Sequence, residues 1–586
     1  MSTDEGRILG DPDESTTGQG GWLLSWAGDG EEALLEVTAA GAAAEAVATH
    51  AHGLANDKVA SRIAARDSTL WGRAPQAGSA PLLGWTELHA TTRAILPELE
   101  ALRAELTAEG IDRVVLAGRG GSALAPEVIS HTAGVPLVVL DSTDPAQVRS
   151  ALAGDLARTV LVVSCKSGGT LETDSQRRAF EAAFAAAGLD AARHIVVVTD
   201  PGSALEAVSR AAGYRAVFLA DPNVSGSYSA LSAYGIVPSA LAGADAAGLL
   251  DEAAAVADVL AEDTESNPAL VLASAIAGTT PLRDKLVFVD EGSGSLGLGD
   301  WAEQLIAEST GRSGRGLLPI VTNSPTGAPP ELASPAADVL GVRLVALANE
   351  IDDASESAAE ADAAGGDEVT VAGALGAQFL LWEYATAAAG RLLGINPFDQ
   401  PEAATAPSTA RDLLTVLEAR PDAEPGADAA AFTDAGIEVR ATPGLLDGVR
   451  DLEGAIDALL SAVGPAGYLA VMAFLDREAN ADLASVRDAL AARTRRPVTF
   501  SWGPRFGSAA GRPHQGGAYL QVTGAPTHDP QVPGRPFTFG HLISAQAAGD
   551  AAVLADRDRP LLRLHLTEPA ALPRVTELLR GERVSA

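Results

Sequence analysis

The chain is short of residue types that often signal chemistry. It holds one cysteine, Cys165, in 586 residues. That excludes an internal disulfide framework and any multi-cysteine metal site. It holds three lysines, Lys58, Lys166 and Lys285, and the rest of its 41 basic side chains are arginines. Long apolar runs are lacking too: charges interrupt the Ala/Val/Leu stretches well before the roughly 20 residues that a membrane span needs. Residues 1–30 are polar, acidic and Gly-rich, without the basic-then-apolar layout of a signal peptide. The expectation is a cytoplasmic protein with no membrane partner.

Acidic residues are plentiful. Seventy-seven of them give a formal net charge of −36, which would repel nucleic acid as well as anionic lipid, so neither is an expected partner. A composition of 47% hydrophobic and 20% charged residues is globular. The length suits roughly three or four domain-sized units with large buried cores.

Residues 1–30 read as a flexible lead-in. From 31 to about 110 the segments ALLEV, AAEAVATHA and LPELEALRAELTAEG suggest a helical arm. Then DRVVLAG, PLVVLD, RTVLVVS, HIVVVTD and RAVFLA, each followed by a turn and a helical stretch, predict a parallel sheet covered on both faces. This first α/β unit closes the span 31–245. A helical stretch at Ala240–Ala277, followed by DKLVFVD, GLLPIVT and VRLVALA, predicts a second α/β unit over 246–420. Residues 349–368 read as an acidic solvated loop. A smaller α/β segment, 421–586, carries GYLAVMAFLD, RRPVTFSWG, AYLQVTG and RPLLRLHL after an acidic, Pro-rich connector.

Four stretches could carry chemistry. GRGGSALAPEV, Gly118–Val128, follows a predicted strand. Its glycines let backbone N–H groups approach an anion at a helix N-terminus, although a tight structural turn or a nucleotide loop with Asp141 as ribose ligand would look similar. SCKSGGTLETDS, Ser164–Ser175, sets Lys166, Ser167 and Thr170 at the end of the next strand, as a site for a phosphate monoester or simply as an N-capped helix start. In DWAEQLIAESTGRSGRGLLP, Glu303 and Glu308 precede a Gly-rich loop containing Arg312 and Arg315. A carboxylate there could act as a general base or be only solvated. GINPFDQP, Gly394–Pro401, is a polar turn of restricted geometry.

Together GRGGSALAPEV, SCKSGGTLET, NVSGSYSALSAYG, EQLIAESTGRSGRG and INPFDQP resemble, in order and approximate spacing, the motifs of the glucose-6-phosphate isomerase family. The PRF…G…HQGG segment and the high alanine content are similar to the long actinobacterial form. The resemblance runs over roughly residues 45–580 and displaces the nucleotide reading. It implies an α/β fold with two SIS-type, doubly wound parallel-sheet subdomains flanked by helices, plus the smaller C-terminal α/β segment. It implies an active site between the subdomains, commonly in a homodimer, and no cofactor or metal. The implied reaction, a step of glycolysis and gluconeogenesis, interconverts glucose 6-phosphate and fructose 6-phosphate through a cis-enediol.

Residue by residue, the resemblance assigns substrate phosphate binding to Gly120, Gly121, Ser122, Cys165, Lys166, Ser167 and Thr170 and proton transfer to Glu308; His514 is a candidate for ring opening or a surface or structural residue of its Gly-rich loop. Several motif positions depart from the family pattern. Cys165 replaces a serine, Ser227 an arginine and Ser225 a glycine. Ala403 and Ala404 stand for Val-Glu, Pro407 for a lysine, and Ser508, Arg512 and Gln515 for His, Gln and Lys. Arg119 and Ala123 also differ from the small or neutral and hydroxyl residues usual in the glycine turn. Loss of one charge that stabilises an enediolate costs about 10²–10³ in rate by analogy with oxyanion-hole losses. Arg119, Arg312, Arg315 and Arg512 are candidate replacements. The alternative is an impaired pseudoenzyme that binds sugar phosphate or partners an active isomerase.

Overall fold

A computed structural model of the chain describes residues 22–27, 33–72, 82–311, 316–322, 328–347, 366–398, 414–415, 429–503 and 516–582. The chain divides into two compact units that alternate along the sequence. One comprises 1–105, 124–136 and 220–400; the other comprises 106–123, 137–219 and 401–586.

The second of these units contains the five-stranded parallel sheet, in the order Val138–Leu140, Arg113–Ala117, Thr159–Ser164, Ile195–Thr199, Ala216–Leu219. Every residue of Thr159–Ser164 and Ile195–Thr199 is buried, as continuous Val/Leu/Ile runs require when helices cover both faces. Each fully buried Val, Leu or Ile contributes about 1.5–3 kcal/mol. Local signals delimit the helices. Ser203 caps Ala204–Ala212 by accepting from the Glu206 N–H at 3.0 Å, and Gly213, with φ 67°, ends it.

The same unit carries a six-stranded sheet, ordered Phe432–Asp434, Ile437–Ala441, Leu561–Leu566, Gly517–Gly524, Tyr468–Phe474, Val498–Trp502. Its last four strands are parallel, and the first two form an antiparallel hairpin at the edge. Leu452, Ile456, Val486, Leu490, Val575 and Leu579 from three helices fill its core.

The other unit is built on a mixed six-stranded sheet: Trp22–Ala27, Ala33–Ala40, Glu368–Gly373, Val339–Val345, Lys285–Asp290, Leu318–Thr322. The last four strands are parallel, whereas Ala33–Ala40 runs antiparallel to Glu368–Gly373 and to Trp22–Ala27. Helix Leu375–Leu393 is buried at every position from Leu375 to Gly390 and forms the centre of this unit.

The strands expected from the Val/Leu runs are all present, but three local expectations are corrected. ALLEV is part of a strand, because Leu35, Val37 and Ala39 alternate inward at period two while Leu34, Glu36 and Thr38 are partly exposed. Residues 22–27, within the expected lead-in, form its antiparallel partner. The acidic stretch placed as loop to residue 368 ends in strand Glu368–Gly373, and its residues 349–365 lie outside the described set. Residues 34–105 group with the sheet of Lys285–Asp290. Among the described residues no helix is long and apolar enough to cross a membrane.

Candidate functional site at the ends of a parallel sheet

With strands numbered by sequence, the five-stranded sheet has the order 2-1-3-4-5. Its strand order reverses beside strands one and three, and such a switch point leaves a crevice at their carboxyl ends. The glycine turn follows strand one, Arg113–Ala117, and the Lys166 loop follows strand three, Thr159–Ser164. The sheet therefore brings Gly120, Gly121 and Ser122 beside Cys165, Lys166, Ser167 and Thr170.

The glycine turn is tightly built. A Cβ on Gly118 would come 2.9 Å from the Ser122 carbonyl, and Gly120 has φ 63°, a conformation that side chains disfavour. Ser122 Oγ accepts from the Arg119 N–H at 3.2 Å and donates to the Arg119 carbonyl at 2.9 Å. The same hydroxyl lies 3.4 Å from the Ser164 carbonyl, the end of strand three.

In the Lys166 loop the Cys165 N–H donates to Val198 O at 3.0 Å, holding the chain to strand four. Gly168 has φ 73°, and a Cβ there would lie 2.5 Å from the Leu205 backbone nitrogen. Ser167 Oγ accepts from the Gly169 N–H at 3.2 Å. Thr170 is the N-cap residue of helix Leu171–Ala186, as the local pattern suggested, but its hydroxyl caps nothing. It accepts instead from Cys165 Sγ at 3.3 Å. Ser167 and Gly169 are exposed, and Lys166 keeps 38% of its side chain exposed. A helix N-terminus uncapped by its own Thr170, with a lysine and hydroxyls around it, suits a dianion.

Glu308 and Ser227 belong to the other unit. Glu308 lies in the last turn of helix Leu298–Thr310, half-buried, and accepts from Gln304 Nε2 at 3.1 Å. The short turn Gly226–Tyr228, which contains the buried Ser227, packs against that helix. Tyr228 fixes the turn through ring contacts with Trp85 at 5.1 Å and Phe398 at 5.0 Å. The position of the expected arginine is thus a small hydroxyl beside the helix of the candidate base. His514, Ala403, Ala404, Pro407, Ser508, Arg512 and Gln515 lie outside the described residues, as do Arg312, Arg315 and Asp399–Pro401.

Arg119, expected as a replacement cation, points at a protein carboxylate. Its Nη1 is ion-paired with Glu172 in the first turn of the helix that the Lys166 loop opens. Glu172 Oε1 also accepts from Gln546 Nε2 at 2.6 Å, and Gln546 Oε1 accepts from Thr143 Oγ1 at 2.6 Å. Asp550 lies one turn beyond Gln546 on helix Phe539–Ala555; burial pushes its carboxyl up to about 7 against the pull of the Arg119 charge. Glu172 was visible inside its motif. Gln546 and Asp550 had no local signal, because only tertiary folding brings their helix to this sheet.

No family model matches the chain. A glucose-6-phosphate isomerase from Synechococcus sp. (strain JA-3-3Ab) is 36% identical over 207 residues, 33% of this chain and 39% of that protein. One from Thermosynechococcus vestitus is 37% identical over 211 residues, again 33% and 39%. A probable glucose-6-phosphate isomerase from Haloarcula marismortui is 34% identical over 241 residues, 38% of this chain and 53% of its own length. The chain therefore spans only about two-fifths to half of the length of these relatives. Among solved structures, a hypothetical protein from Thermus thermophilus aligns with TM-score 0.50 and 27% identity, over 61% of this chain and 94% of its own. A glucose-6-phosphate isomerase from Chlamydia trachomatis aligns with TM-score 0.53 and 20% identity, over 64% and 86%, a likeness of fold. This α/β chain is thus similar in sequence to glucose-6-phosphate isomerases and shares the fold of one of them.

Proposed function

We propose that the chain binds a sugar phosphate at the switch point of the five-stranded sheet and interconverts glucose 6-phosphate and fructose 6-phosphate. The observation that carries this reading is the pairing of the glycine turn with the Lys166 loop on adjacent strand ends, two anion-adapted turns side by side. In this reading the phosphate takes the exposed loop N–H groups, the Lys166 ammonium and the Ser167 and Thr170 hydroxyls. Anchoring it converts binding energy into orientation of the reacting carbons. The name of the matched relatives supplies the reaction.

Glu308 is the proton-transfer base, by the resemblance of its AESTGR stretch to the family motif. Its carboxylate takes the C2 proton of the open-chain aldose, the C1 carbonyl oxygen gains a proton, and a cis-enediol forms. Loss of the O2 proton and return of a proton to C1 complete the ketose. Ser227 supplies no charge to the enediolate, so turnover well below that of an enzyme with arginine there is expected.

A coupled assay converting fructose 6-phosphate to glucose 6-phosphate, run beside Glu308→Gln, tests this. Turnover that falls about 10²–10⁴-fold in the variant supports the reading, a range typical of general acid–base catalysis. Absence of turnover in the native chain, with thermal stabilisation by fructose 6-phosphate, replaces it with the binder. Neither turnover nor stabilisation overturns both.

A further inference from the structure

The glycine turn and the Lys166 loop are separated by more than forty residues of sequence, yet a phosphate held by both requires their separation to be constant. The pairing of strands one and three ends at Ala117 and Val163. Beyond that edge, among the described residues, two side-chain contacts join the two turns. One link is Ser122 Oγ, 3.4 Å from Ser164 O, a long contact. The other is Arg119, which leaves the glycine turn and pairs with Glu172.

That pair is sheltered, with 17% of the Arg119 side chain and 11% of the Glu172 side chain exposed. Gln546 and Thr143 extend it by two hydrogen bonds of 2.6 Å to the segment after strand Val138–Leu140. Three strand ends and helix Phe539–Ala555 therefore meet in one connected network. Charge-assisted hydrogen bonds are strong in such a setting, and Arg119 Nε is buried with no partner among the described residues, so the guanidinium is held at one side only.

We propose that Arg119 is a positioning residue that locks the glycine turn to the phosphate-loop helix through Glu172. The choice of phosphate as ligand rests on the function proposed above; the lock itself does not.

The test begins with the ligand-free chain. Amide hydrogen exchange of residues 120–122 and 167–170, corrected for intrinsic rates, is measured for the native chain, Arg119→Met and Arg119→Lys. Arg119→Met is expected to accelerate both segments together about tenfold, with Arg119→Lys intermediate. Native rates in Arg119→Met, or acceleration of one segment alone, would each overturn the proposal. If Arg119→Met does not fold, Glu172→Gln with circular dichroism as a folding check takes its place under the same criteria. Calorimetric titration with inorganic phosphate and fructose 6-phosphate then separates the two ideas. Coupled exchange without binding to the native chain removes the sugar-phosphate reading and leaves the lock.

Discussion

Lys166 Nζ lies 3.6 Å from Asp200 Oδ2, so the phosphate-loop lysine rests against a carboxylate at the end of the neighbouring strand. The pairing holds an ammonium at the mouth of the loop and also competes with any incoming anion. With Lys166 38% exposed and Asp200 14% exposed, screening keeps this competition to about 1 kcal/mol or less. Asp200→Asn is therefore expected to tighten phosphate binding up to about fivefold. Lys166→Met removes a charged hydrogen bond of about 1.5–3 kcal/mol and weakens it about tenfold to a hundredfold. Calorimetric titration with fructose 6-phosphate checks both, and equal affinity in Lys166→Met would remove the loop from the binding site.

Cys165 has its thiol 3.3 Å from Thr170 Oγ1 inside the same loop. A serine hydroxyl is the stronger donor and fits the smaller volume. Cys165→Ser is expected to change stability by no more than about 1 kcal/mol. Phosphate affinity should rise a few-fold because the Thr170 end of the loop is better fixed. Chemical denaturation and titration report the two effects separately.

Glu383 is wholly buried in helix Leu375–Leu393, and neither carboxyl oxygen has a partner among the described residues. Burial pushes its pKa well above the ordinary carboxylate range. The unfolded chain ionises near the ordinary value while the folded chain keeps the proton, so stability from this group falls as pH rises above that value. Glu383→Leu removes the buried polar group at similar volume. It is expected to raise stability at pH 8 by about 1–3 kcal/mol, with a smaller gain at pH 4. Equal gains at both pH values would contradict this account.

Lys285 is 2% exposed and its ammonium lies between Asp284 Oδ1 at 2.8 Å and Asp338 Oδ2 at 2.9 Å, at the start of a central strand. Lys285→Met leaves two carboxylates side by side without their cation. Full burial of a broken ion pair would cost about 3–5 kcal/mol, and the partial exposure of both aspartates reduces this to roughly 1–3 kcal/mol. Thermal denaturation at pH 7 should show the loss, and an unchanged midpoint in Lys285→Met would contradict this account.

The sequence by itself determined the strands and the two anion-adapted turns. Near-continuous Val, Leu and Ile runs have nowhere to go but a sheet buried on both faces, and glycines at strand ends mark backbone that must turn at positive φ. It also pointed to Lys166, because lysine is scarce enough in this chain for one in a glycine loop to stand out. ALLEV misled because five residues with four apolar side chains satisfy helix and strand spacing alike; the pairing of Ala33–Ala40 with Glu368–Gly373 selected the strand. Only the tertiary structure decided strand order, and hence which two loops flank the switch point, since order depends on how helices pack and not on any local pattern. It alone turned Arg119 from a spare cation into the partner of Glu172. It alone placed Gln546 beside them, from a helix more than 350 residues away in sequence, because contacts between distant segments leave no trace in the spacing of either one.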